Sequence, residues 1–185
     1  MGARERMRLV GVLVLTTAGA LLVTGVSASA ATKTKVFSSG DIDMAIPGLD
    51  IATSKQQVRP RGRIKDVNVS VRISHPFVGD LFLLVTDPKG NPVNLSAANG
   101  GDGDDYGSES TDCTGAFFTF FDDSAATAIT AGTPPFNGPH APEGSLLDLK
   151  GGKTKGAWRL HVIDGDGVTG GTLHCWELQI KYKKL

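Results

Sequence analysis

The closing segment of the chain constrains the fold most. Trp176, Leu178, Ile180 and Tyr182 alternate with Cys175, Glu177, Gln179 and Lys181, and this period of two sets one group on each face of an extended strand. Cys175 therefore points away from the main core. The same period recurs where Val67, Val69, Val71 and Ile73 alternate with Asn68, Ser70 and Arg72, the pattern of a half-buried strand. It recurs again where Trp158, Leu160 and Val162 alternate with Ala157, Arg159 and His161. The run from Leu81 to Val85 is a more continuously apolar strand, joined to Val93 and Leu95 through the turn Asp87-Pro88-Lys89-Gly90. Phe117, Phe118, Phe120 and Phe121 supply an aromatic strand. Between these strands no 12-residue window carries a helical apolar period, and Gly and Pro make up 33 of 185 residues. Both residues are tolerated in turns and poorly inside helices. The expected fold is all-β, with two packed antiparallel sheets and minimal helix.

Arg4, Arg6 and Arg8 precede an apolar run from Leu9 to Val26, and Ala28-Ser29-Ala30 follows. This is the layout of a signal peptide over residues 1–30, cleaved between Ala30 and Ala31, and it predicts a secreted product with no membrane association after cleavage. Removing Arg4, Arg6, Arg8 and Glu5 leaves 16 basic and 18 acidic residues. So balanced a chain has no overall cationic field to attract phosphate backbones, which argues against nucleic acid as a partner. Export also bears on Cys113 and Cys175, the two cysteines of the chain. In an oxidising compartment they are expected to pair, with the loop bearing Cys113 covering Cys175. The competing reading, two free thiols with one as nucleophile, requires a histidine partner and a lowered pKa. Residues 31–36 read as a short linker before a domain over 37–185. The stretch 31–63 reads as charged and irregular, ending in the basic cluster Arg59-Pro60-Arg61-Gly62-Arg63.

Charge is unevenly placed along the chain. From Gly90 to Leu149 there is no Lys or Arg but nine carboxylates, seven of them between Asp102 and Asp123. Crowded acids repel one another unless a cation neutralises them, and calcium, with its six to eight oxygen ligands in flexible geometry, suits an exported protein. A merely solvated acidic loop is the alternative. The stretch Gly100-Gly101-Asp102-Gly103-Asp104-Asp105 opens like a calcium-binding β-helix repeat, but it occurs once, and such repeats need stacked neighbours. An EF-hand fails because Tyr106 and Cys113 stand at ligand positions. His75, His140, His161 and His174 could each supply a base, yet no Gly-x-Ser-x-Gly elbow, His-Glu-x-x-His helix or phosphate loop is present. His161 and His174 read as partly buried structural residues.

Several ordered blocks carry a resemblance. Ile64–Ile73, then Ser74-His75-Pro-Phe-Val-Gly79-Asp80-Leu81, then Asp87-Pro88-Lys-Gly90 come first, followed by Phe121-Asp122-Asp123-Ser124-Ala125 and Pro135-Phe136-Asn137-Gly138. Gly156-Ala157-Trp158-Arg-Leu160 and Gly171-Thr-Leu173 with Trp176-Glu-Leu178 complete the order. The chain resembles the P domain, or Homo B domain, of kexin- and furin-like proprotein convertases and bacterial subtilases. The resemblance implies a jelly-roll β-sandwich that is not itself catalytic and that supports a protease through binding, stability and calcium dependence. It puts Asp80, Asp122 and Asp123 on family positions and makes them metal candidates, with Asp102, Asp104 and Asp105 of the neighbouring loop as further candidate calcium ligands. His140-Ala141-Pro142 stands where bacterial members often carry an arginine. No subtilisin-type Asp, His and Ser blocks precede Phe37. The resemblance implies a monomer with a protein partner such as a subtilisin-like protease, which it stabilises or on which it acts in trans as accessory subunit or inhibitor.

Overall fold

A computed structural model describes residues 31–108, 113 and 117–185. Residues 1–30, and the signal-peptide reading with them, lie outside the described residues. The strands are β1 Thr32–Ser38, β2 Met44–Ile46, β3 Ile51–Val58, β4 Gly62–Ser74, β5 Leu81–Thr86, β6 Pro92–Ala97, β7 Thr119–Phe121, β8 Gly138–His140, β9 Gly156–Asp164 and β10 Gly171–Lys184. Helical backbone among the described residues is confined to three 3-10 turns, Val78–Asp80, Ile129–Ala131 and Leu146–Leu149.

Two sheets face each other. One has the order β1-β10-β4-β7-β8 with β2 also on β10, and the other the order β3-β9-β5-β6. Every pairing is antiparallel except β7 with β8. The alternating residues meet between the sheets: Val67, Val69, Val71, Leu178 and Ile180 from one side, Leu83, Val85, Leu160 and Val162 from the other, all buried. Trp176 ties the layers with polar bonds. Its Nε1 donates to Ser54 Oγ at 2.8 Å, and Gln56 Nε2 donates to its carbonyl at 2.9 Å, so the two polar side chains that β3 buries are satisfied.

Three expectations need correction. Residues 31–36 are not a linker and 31–63 is not irregular: β1 pairs with β10 from Thr32 to Ser38, and β2 and β3 follow. Lys33 and Lys35 hid β1 from apolar counting because it is an edge strand with exposed side chains, where lysine is well tolerated. The β4 strand is not half-buried. Asn68, Ser70 and Arg72, on its outward face, are also buried, Arg72 to 1% exposure. The segment bearing Phe118 closes over that face, with the Arg72 guanidinium 4.7 Å from the Phe118 ring centre. The aromatic strand is shorter than expected, and Phe117 and Phe118 precede β7 without belonging to it. Cys113 and Cys175 are disulfide-bonded, with Cys175 opposite Arg72 on that outer face.

Within each sheet the long strands run antiparallel, so their loops gather at two ends. β4, β5 and β9 place His75, Asp80 and Asp164 at the same end, where Asp50 precedes β3 and β10 begins at Gly171. At the other end β3 runs out into Arg59, β4 begins at Gly62, and β10 finishes with Lys183 and Lys184.

Candidate functional site

The acid-rich end is built on glycine. The 3-10 turn Val78–Asp80 is bonded to the loop after β6, with Val78 N donating to Gly103 O at 2.9 Å and Gly79 N to Gly101 O at 3.0 Å. A Cβ on Gly79 would lie 2.7 Å from the Gly101 carbonyl, so only glycine permits this approach. Gly100 and Gly101 adopt positive φ of 93° and 55°, which turns the loop back toward Asp80. Gly165 N then donates to Asp80 O at 2.8 Å and draws in the β9–β10 loop. Asp80, Asp102 and Asp166 consequently line one cavity of about 350 Å³ together with Phe77, Gly79, Ala98 and Gly101.

The six carboxylates singled out from sequence do not converge on one point. Asp80 and Asp102 share the cavity just described. Asp104 and Asp105 border a different one, beside Ser74, His75 and Gly171, and Asp105 Oδ1 accepts the His75 amide at 2.8 Å. Asp122 is occupied as a turn cap: Oδ1 accepts Ser124 N and Oγ, both at 2.7 Å, and Oδ2 accepts Asn68 Nδ2 at 3.1 Å. Asp123 caps the turn Leu146–Leu149 through the amides of Leu146 at 3.0 Å and Leu147 at 2.7 Å, and it also accepts Ser145 Oγ at 2.9 Å. Among the described residues no three carboxylates bring their oxygens within 4.8 Å of one another. The one group that close consists of Asp41, Cys113 and Cys175, and its sulfurs are in the disulfide.

Sequence reading missed Asp166. Its signal was present in Asp164-Gly165-Asp166-Gly167, a turn-forming acidic run between two strong strands. Beneath it, His75 Nε2 lies 3.2 Å from Asp164 Oδ2, both side chains fully buried, and Asp164 Oδ1 accepts the Asp166 amide at 2.9 Å. Also missed was a relay on the outer face. His174 Nε2 is 2.9 Å from Ser74 Oγ and its Nδ1 is 2.7 Å from Asp43 Oδ1. His174 occupies a register shift in β10, and Asp43 has a φ of 40°. The Asp43 side chain is 65% exposed, so this relay straps the β1–β2 connection to the sheet from the solvent side. Asn68, in an Asn-Val-Ser sequence, is buried with Nδ2 donated to Asp122 and Gln179 and is not open to glycosylation in the fold.

Sheet β3-β9-β5-β6 keeps its outer face in solvent. Ile51 stands opposite Ile163, Ile163 opposite Phe82 and Phe82 opposite Ala97, so one apolar row crosses all four strands next to the acidic loops. Ile51 is 53% and Phe82 38% exposed, and Leu49 and Val168 extend the row from the adjoining loops. A profile of the proprotein convertase P-domain family matches residues 64–180. The chain belongs to that family. Its members' P domain is an accessory, non-catalytic part of subtilisin-like proteases. Among solved structures, the Aeromonas sobria serine protease in complex with a chaperone superposes with a TM-score of 0.52 at 14% identity, over 84% of this chain and 27% of that one. A second structure, of a serine protease of Aeromonas sobria, gives a TM-score of 0.50 at 14% identity, over 82% of this chain and 27% of that one. This P domain thus spans about a quarter of the chains whose fold it shares. No curated protein matches it.

Proposed function

We propose that this P domain is a secreted, non-catalytic module that binds and stabilises a protein partner in subtilisin-like proteolysis, with calcium bracing its acid-rich end. The observation that carries this reading is the solvent-facing row Ile51–Ile163–Phe82–Ala97 in a chain of this family. A contiguous apolar row bordered by charge is the usual form of a protein-binding surface. The supporting test adds the purified module to a subtilisin-like serine protease catalytic domain stripped of its own P domain. Co-elution and a longer thermal half-life of the protease are expected, and an unchanged half-life without co-elution would count against the reading.

For calcium, Asp80, Asp102 and Asp166 offer hard oxygen donors in a cavity whose lining contains no Lys or Arg. Their oxygens do not all come within 4.8 Å of one another, whereas ligands around one ion at about 2.4 Å are packed more tightly. The donor set therefore fits an ion that keeps waters between itself and part of the cavity wall. Such sites bind weakly, with dissociation constants on the order of 0.1 to 1 mM. Titrating metal-free protein with calcium should raise its melting temperature, because an ion held only by the folded state adds stability. Asp80→Asn should remove that rise. Asp123→Asn should lower the melting temperature with and without calcium and leave the rise intact, since Asp123 caps a turn away from the cavity. A calcium response lost in Asp123→Asn and kept in Asp80→Asn would sink the assignment.

A further inference from the structure

The end of the sandwich opposite the acidic loops is basic. Arg61, Lys153 and Lys155 line a cleft of about 320 Å³ with Gly62 and Leu185. Lys153 bridges to Arg63, and Arg63 stands directly opposite Lys183 in the β4–β10 pairing, so three cations stand in register on one face. The Arg63 guanidinium is held in place by donating Nη1 to Gly151 O at 3.1 Å. Among the described residues no Lys or Arg lies within 4.0 Å of a carboxylate, because both close ion pairs are made by histidines. Asp87, the nearby buried acid, is taken up by the amides of Lys89 and Asn91 and by Asn91 Nδ2.

Like charges directly opposite one another destabilise a sheet, and three cations around a cleft repel one another across it. Folding gains nothing from that placement, whereas a ligand that brings several negative oxygens gains from every member of it. The spacing favours a chain over a single ion. The cleft and the Lys153–Arg63–Lys183 row are continuous through Lys153, so a flexible polymer lying across both meets successive cations. We propose that this basic end binds a linear polyanion with phosphate or sulfate groups along its backbone, using Arg61, Arg63, Lys153, Lys155 and Lys183. The site goes beyond the partner-binding reading and does not depend on it. It lies at the other end of the strands, so anchoring here leaves the apolar row and the acidic cavity free.

The test uses two probes, inorganic polyphosphate and heparin, with binding measured across a salt series by calorimetry. Binding of either at about 150 mM salt is expected, with log K falling linearly in log salt as counterions are released; the stronger probe identifies phosphate or sulfate as the source. The paired variant Arg61→Glu/Lys153→Glu should weaken binding by about tenfold or more and flatten the salt slope. The matched variant Lys55→Glu/Arg159→Glu makes the same charge change on the outer face of the other sheet, where those residues pair, and should bind nearly as the parent does. Equal loss in both variants would reduce the effect to net charge and overturn the site, as would failure of the parent to bind either probe. If the first variant does not fold, amide shifts of the parent on adding polyphosphate decide the matter. Shifts confined to 61–63, 151–155 and 181–184 sustain the site, and scattered shifts overturn it.

Discussion

Tyr106 shows how one buried side chain ties the acid-rich loop to the core. It is fully buried, stacks on Phe136 with ring centres 4.9 Å apart, and shares a 2.9 Å hydrogen bond with Ser96 Oγ. Burial pushes its phenol up to about 12, against the stabilising Ser96 bond and with a further push from the Glu143 carboxylate. The folded pKa thus lies above the unfolded value of about 10, and the folded state holds the proton more tightly. The resulting stability is fully present below pH 10 and is lost as the pH rises through 12, a change of about 3 kcal/mol. Tyr106→Phe cannot ionise. It should cost about 1 kcal/mol at pH 8 through the lost hydrogen bond, and should lack the parent's steep fall between pH 10 and 12. Urea midpoints at pH 8 and pH 11.5 check this. A parent and variant that fall in parallel would show that the phenol is not coupled to folding.

At the level of elements, the 3-10 turn Val78–Asp80 is positioned by a close approach of two backbones as well as by the buried Val78 side chain. Gly79→Ala would place a methyl 2.7 Å from the Gly101 carbonyl, and neither strand-anchored loop can yield cheaply. A cost of about 1–3 kcal/mol is expected, read as a lower melting temperature and faster hydrogen exchange at Val78 and Gly79, whose amides make the linking bonds. The same element explains what sequence could and could not reveal. β4, β5, β9 and β10 were legible because one face of each is apolar, and period two records that directly. The disulfide was legible because the chain's two cysteines have one pairing to make with each other. β1 and β3 were not, since edge strands carry Lys33, Lys35 and Lys55 on exposed faces and β3 buries Ser54 and Gln56 in place of aliphatics. The acidic residues were visible as a composition, but their hydrogen bonds were set by loop geometry: Asp122 and Asp123 accept N–H and O–H groups, while Asp166 joins the cavity from a distant loop.

At the scale of the whole molecule, strand direction sorts much of the charge, although Asp66, Asp87 and Asp148 lie among the basic residues. Sequence arithmetic gives a nearly neutral chain, yet the alignment of β1, β3, β4, β9 and β10 sends Asp41, Asp43, Asp50, Asp80, Asp102 and Asp166 to one end and the Arg59–Arg63 cluster with Lys153, Lys155, Lys183 and Lys184 to the other. The 14 residues of β10 separate the poles by about 45 Å at about 3.3 Å per residue. At physiological salt the Debye length is about 8 Å, so each pole acts on its own surroundings and the molecules ignore one another. At about 10 mM salt the length grows to about 30 Å, and near-neutral net charge supplies no general repulsion. Head-to-tail attraction should then produce open-ended, concentration-dependent association of the heterologous kind. Light scattering in 10 mM salt should report a mass that rises with protein concentration and returns to that of one chain at 150 mM. Added calcium should lower the association at constant ionic strength by neutralising the acidic pole. The Arg61→Glu/Lys153→Glu variant should lower it further by removing the opposite one. A mass that stays constant through the salt series would mean that the two poles are screened locally and that neither projects a field beyond its own loops.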